Sequence, residues 1–192
     1  MISNIQRQIR RLGLIAGLAA LAAPSFAAIL PIPAAGVPLP GVAGGPAGPV
    51  LNTVTRNFWI ENGAGVLVGR GRMVDTVVNV GGRQVFYSQF YNDVVSTVSI
   101  THFTRDNMRV YGIDAGYRTD LGGTVAAAIG GRSVGGGLVR IDFAVPLAPG
   151  QWSRPVYFRT TAPVAVGFTN NGETIAYSGA VARGYLDTFE PN

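Results

Sequence analysis

Few residues of this chain have the chemistry of a catalyst. His102 is its only histidine, and it has no cysteine. A Ser-His-Asp arrangement can be assembled from His102, Asp106 and any of several serines, but the one Gly-x-Ser-x-Gly match, Gly131-Arg132-Ser133-Val134-Gly135, has no strand–helix unit around it. One imidazole and no thiol remove the usual zinc and copper sites and any cysteine nucleophile. Paired carboxylates could hydrolyse glycosides, but most acids fall at expected turns, among them Asp93, Asp106, Asp114, Asp120 and Glu173. Acids there ordinarily bond the local backbone. No Asp-x-Asp-x-Asp-Gly calcium loop is present. Gly69-Arg70-Gly71-Arg72 and Gly130-Gly131-Arg132 resemble fragments of phosphate or RNA-binding segments, but no Gly-x-x-x-x-Gly-Lys accompanies them. They read as Gly-Arg hairpin tips. The expectation is a protein with no catalytic residues, no metal and no cofactor, with a hydrolase kept as a distant alternative.

Aromatic residues offer more. In Val85-Phe86-Tyr87-Ser88-Gln89-Phe90-Tyr91, strand alternation puts Phe86 and Phe90 on one face and Tyr87, Gln89 and Tyr91 on the other. The phenylalanine face is then core. The tyrosine face is a flat strip with an amide between its rings, suited to sugar stacking or to a protein interface. Trp59 stands among polar neighbours on its own strand and joins the candidates. The rival expectation is that both sheet faces are covered, one of them by residues 28–50.

The elements that position these residues read as strands. From Leu51 onward, short runs of Val, Ile, Thr, Phe and Tyr alternate with Gly, Asn and Pro clusters. Candidate strands lie near 52–61, 65–70, 73–80, 83–91, 94–103, 108–113, 123–130, 137–145, 153–160, 163–168 and 174–186. Gly81-Gly82 and Asn170-Asn171-Gly172 have the residues of tight turns. Gly130-Gly131 and Gly135-Gly136-Gly137 are expected to bracket a loop. Val139, Ile141, Phe143 and Val145 form an apolar face opposite Arg140 and Asp142, while Val156 and Phe158 oppose Tyr157 and Arg159. One wet and one dry face per strand is the habit of antiparallel sandwiches. The expected fold is therefore all-β: a single antiparallel β-sandwich, Ig-like or jelly-roll-like, over residues 51–192. An outer-membrane-type β-barrel is the alternative, though several runs fall short of the 9–11 residues or so that a tilted spanning strand needs.

Residues 28–50 differ. They hold six of the 12 prolines and no charge, which favours an extended chain. They also carry Ile29, Leu30, Ile32, Val37 and Leu39, whereas a solvated linker is usually polar. This arm or linker reads as a candidate assembly element that docks on its own domain or on a neighbouring copy.

Residues 1–27 have the plan of a secretory signal peptide: Arg7, Arg10 and Arg11, then an uncharged run from Leu12 to Ala23, then Pro24 and Ser25-Phe26-Ala27. Removing them leaves 12 arginines against 10 acids, and lysine is absent throughout. These scattered charges form no basic stripe of the kind that nucleic acid requires, and no membrane span is expected after cleavage. Together these features suggest a secreted, periplasmic or cell-surface protein of a bacterium. Its expected role is structural or interactive, with itself or other envelope proteins as partners. The alternative is a module binding a polysaccharide or other surface ligand. Mass spectrometry of the exported protein is expected to find a chain beginning at Ala28; a retained leader would remove this address.

Overall fold

In the computed structural model, residues 27–108 and 111–164 are described in full, together with the backbone of strands at 172–177 and 181–186. The leader up to Phe26 and the Asn170-Asn171-Gly172 turn, apart from the strand residue Gly172, lie outside the described residues. The strands are β1 (Ala28–Ile29), β2 (Ala34–Pro38), β3 (Gly41–Val42), β4 (Val50–Glu61), β5 (Leu67–Val80), β6 (Arg83–Asn92), β7 (Ile100–Arg105), β8 (Ile113–Arg118), β9 (Ala127–Arg132), β10 (Val139–Leu147), β11 (Val156–Pro163), β12 (Gly172–Tyr177) and β13 (Val181–Leu186). No helix forms among the described residues. The protein is all-β, with two sheets. The large sheet runs β1-β8-β11-β6-β5-β4-β13-β12, with β3 also on β8, and the small one runs β2-β9-β10-β7. All pairings are antiparallel except β3 on β8.

Alternation builds the core between the sheets. Phe58, Ile60, Met73, Val77, Phe86, Phe90, Val156 and Phe158 point inward from the large sheet, meeting Phe103, Val139, Ile141 and Phe143 of the small one. Phe90 lies 4.4 Å from Phe103 and 6.4 Å from Phe143, centroid to centroid. Gly81 and Gly82 turn the β5–β6 hairpin with φ of +59° and +78°, which glycine adopts without a Cβ clash.

The expected hairpin tip at Gly69–Arg72 is instead the interior of β5, so the two candidate strands either side are one. Its glycines are there for space: a Cβ on Gly71 would stand 2.2 Å from the Tyr91 carbonyl oxygen and 2.5 Å from the Phe58 ring. Gly130-Gly131 likewise lies inside β9 rather than at a loop. Val145, expected inward, is 57% exposed while Leu147 is buried, because register shifts after Asp142 interrupt the alternation of β10. Asp114, expected at a turn, is within β8.

The proline-rich segment docks on its own chain. It pairs with the edge of the large sheet at β1, crosses to the edge of the small sheet at β2, and returns to the large sheet at β3. Each crossing carries a leucine into the core, Leu30 at the first and Leu39 at the second. The room they occupy is opened by Gly130, where a Cβ would lie 2.9 Å from Leu30 and 3.0 Å from Leu39. Burying each leucine is worth about 1.5–3 kcal/mol. Proline suits this route, since an edge strand need not donate every N–H.

One charged pair lies in the core. Asp75 of β5 and Arg105 of β7 are fully buried and joined by a charge-assisted hydrogen bond between the two sheets. Ser88 Oγ donates to the same carboxylate at 3.0 Å. The guanidinium carbon lies 4.9 Å from the Phe86 ring centre and 5.6 Å from that of Phe158. Removing one partner strands a buried charge. Arg105→Met alone is expected to cost about 3–5 kcal/mol in urea unfolding, and adding Asp75→Leu to recover most of it. A single variant as stable as wild type would contradict the bridge.

Candidate functional site

The outer face of the large sheet is built by the same alternation. Register sets Trp59 beside Arg70, then Asn57 beside Arg72 and Tyr91, Thr55 beside Val74 and Gln89, and Thr53 beside Thr76 and Tyr87. These four rows span ~20 Å along the strands at 3.3 Å or so per residue.

The two ends of this face differ. At the Tyr87 end the outer surface is covered. Tyr87 and Tyr157 lie 5.9 Å apart, packed with Ala27, Val42, Val78, Val80 and Val85. The Tyr87 hydroxyl donates to the Pro46 carbonyl. Burial pushes the Tyr87 phenol up, a hydrogen bond with Arg118 partly opposing it, and burial pushes Tyr157 up to about 12. Gln89 donates its amide N–H bonds to the carbonyls of Gly122 at 2.6 Å and Ser153 at 2.9 Å. Tyr87 and Gln89 therefore face outward as alternation requires, but both tie down loops. A cleft of about 330 Å³ remains between Pro46–Gly48 and Leu121, floored by Val74 and Thr76. On its rim Arg118 grips Asp120 through two bonds of 2.7 and 2.6 Å, holding that carboxyl well below the usual carboxylate range.

The other end is open. Trp59 is 59% exposed. Tyr91 stacks on Trp152 at 4.8 Å with the rings inclined by 34°, and the Arg72 guanidinium carbon lies 4.9 Å from the first ring centre and 4.8 Å from the second. Arg70 bonds Asp93 at 3.0 Å. Of the residues expected to form the site, Trp59 and Tyr91 share this open end. Arg72 and Trp152 were missed. Trp152 reaches the face from a loop through a bridge with Tyr91, and the only hint in the sequence is that the chain has just two tryptophans. The arrangement can stack a flat apolar ring face and donate hydrogen bonds around it.

The arm candidates separate in the same way. Leu30 and Leu39 are buried and Val37 is half-buried against the core, while Ile29 and Ile32 are 71% and 47% exposed.

His102 stands apart from this face, on β7 opposite Asp142. It is buried, its Nδ1 3.0 Å from the Thr101 hydroxyl and 3.4 Å from Arg140, which can only donate. Arg140 is held by Asp142 at 2.6 Å. No group of three metal-ligating side chains forms among the described residues. Comparison with protein-family models, with curated proteins and with solved structures finds no match to this chain.

Burial first, and then Arg140, push the His102 pKa below its ordinary 6.5, with Asp142 opposing. The unfolded chain therefore takes up this proton first as pH falls. Stability is expected to be constant above pH 6.5 or so and to decline below it, and His102→Gln to flatten that part of the profile. Urea midpoints between pH 5 and 8 measure this; an unchanged slope in the variant would assign it elsewhere.

Proposed function

We propose that this chain is an exported, non-enzymatic interaction protein of the bacterial envelope or surface, built as a β-sandwich, that holds a polysaccharide against the open end of its large sheet. The observation that carries this is the presence of Trp59, Arg72, Tyr91 and Trp152 together at the open end of this face, beside Asn57 and Arg70. An exposed tryptophan beside a guanidinium stacked on two rings presents apolar area at little entropic cost and leaves N–H donors around it. Pyranose rings have the complementary form, an apolar face rimmed with hydroxyls. The non-enzymatic part is supported by the position of His102, whose described neighbours are Thr101, Arg140 and Asp142.

Self-assembly by exchange of the arm is a second reading. It rests on the arm filling the same edge of both sheets, since what fills those edges in one chain would also fit them in another.

Glycan-array retention tests the first reading. Trp59→Ala and Tyr91→Ala are each expected to weaken retention by about tenfold or more, as loss of a central aromatic contact does, with an unchanged circular dichroism spectrum. A wild-type protein that retains no glycan would leave the open face to a protein partner instead.

A further inference from the structure

We propose a second binding site, independent of the open aromatic face: the groove where the arm first crosses the end of the large sheet takes an oxyanion, phosphate or carboxylate, carried on an apolar chain. The groove has a volume of about 540 Å³ and is walled by Ile29–Ile32 of the arm and by β8 and β11. That volume is in the ordinary range for small-molecule sites, roughly 300–1,000 Å³.

Its charge is unbalanced. Three guanidinium groups, Arg83, Arg132 and Arg159, line it against one carboxylate, Asp114. Arg70, Arg105, Arg118 and Arg140 each hold an acid within 4 Å, whereas none of these three does so among the described residues. Arg132 is 5% exposed. Its donors go to the carbonyls of Gly136, Leu30, Met108 and Tyr111. These four bonds use four of its five N–H donors and leave its full positive charge inside the protein. A buried cation facing only neutral dipoles is costly, and an anion placed nearby relieves that cost.

The other two arginines stand at the mouth. Arg83 is tethered to the Thr161 carbonyl. Arg159 lies across the ladder from Asp114, which in turn faces Ile29 of the arm. Asp114 offsets one of the three charges and leaves the groove cationic. Guanidinium pairs are well matched to the planar and trigonal oxygens of carboxylate and phosphate. The apolar part of the ligand is indicated by Ile29 and Ile32, two exposed branched side chains on the rim. Because Arg132 also bonds the Leu30 carbonyl, a ligand seated here would contact the segment that closes the sheet edges.

Isothermal titration with dodecyl phosphate below its micelle concentration tests this. Saturable binding at one ligand per chain is expected. Arg83→Gln with Arg159→Gln should weaken it by about tenfold or more, the loss expected for charged hydrogen bonds. Arg56→Gln, an exposed arginine on β4, should leave it unchanged. Inorganic phosphate is expected to bind more weakly; equal affinity would make the site one for a free oxyanion and overturn the apolar half of the proposal. Dodecyl maltoside binding as tightly as the phosphate, or full binding by the double variant, would overturn the anionic half. No saturable heat with the phosphate would overturn both. If the double variant does not fold, Arg159→Gln alone serves, since that side chain is exposed.

Discussion

The two sheets have to be held face to face by side chains alone, since the chain has no cysteine with which to staple them and no helix covers them among the described residues. Most of that grip is apolar and non-directional. The Asp75–Arg105 bridge is directional. It sets one position of β5 against one position of β7, and a slip of a single residue in either strand would turn its charge to the opposite face. Phe86 and Phe158 pack the guanidinium, so the charged pair and the aromatic core have to form together. An apolar pair in its place could be as stable; what the ion pair adds is a penalty on every other register.

Open edges are the second difficulty for such a fold, because unpaired strand edges invite pairing with other chains. Here the arm closes one side by visiting β8, β9 and β8 again. Its two leucines make the closure part of the core, and Gly130 exists as space for them. At the other side β12 lies against β7. The arm also covers the Tyr87 end of the outer face, through Val42 and Pro46. That coverage is what leaves the aromatic residues at the Trp59 end as the exposed surface and makes the two ends of one sheet different in kind.

The two candidate sites follow from this asymmetry. The aromatic end is where no arm residue reaches. The arginine groove is where the arm first crosses, and its proline-rich turn stands off the sheet enough to leave a cavity. One presents rings with donors around them, the other cationic groups with apolar rims.

What the sequence by itself determined was mostly local. Alternation placed Phe86 and Phe90 inside and Tyr87, Gln89 and Tyr91 outside, and Gly81-Gly82 marked its own turn. The apolar arm marked itself as a candidate to dock, and of its five candidate residues the core takes Leu30 and Leu39 fully. Such features are legible because strand periodicity and turn stereochemistry act over a few residues. Only the tertiary structure decided which partner each residue met. Arg105 stands next to Asp106 in sequence, yet Asp106 falls just past the end of β7 and the core partner of Arg105 is Asp75, from the other sheet. Gly71 looked like a turn, but the Phe58 ring and the Tyr91 carbonyl require it inside a strand. Tyr87 and Gln89 faced outward as alternation required and were then covered by loops, while Trp152 arrived on the face from a loop of its own. Alternation sets the side to which a residue points; what covers that side depends on segments distant in sequence, whose meeting is set by the register of the whole sheet.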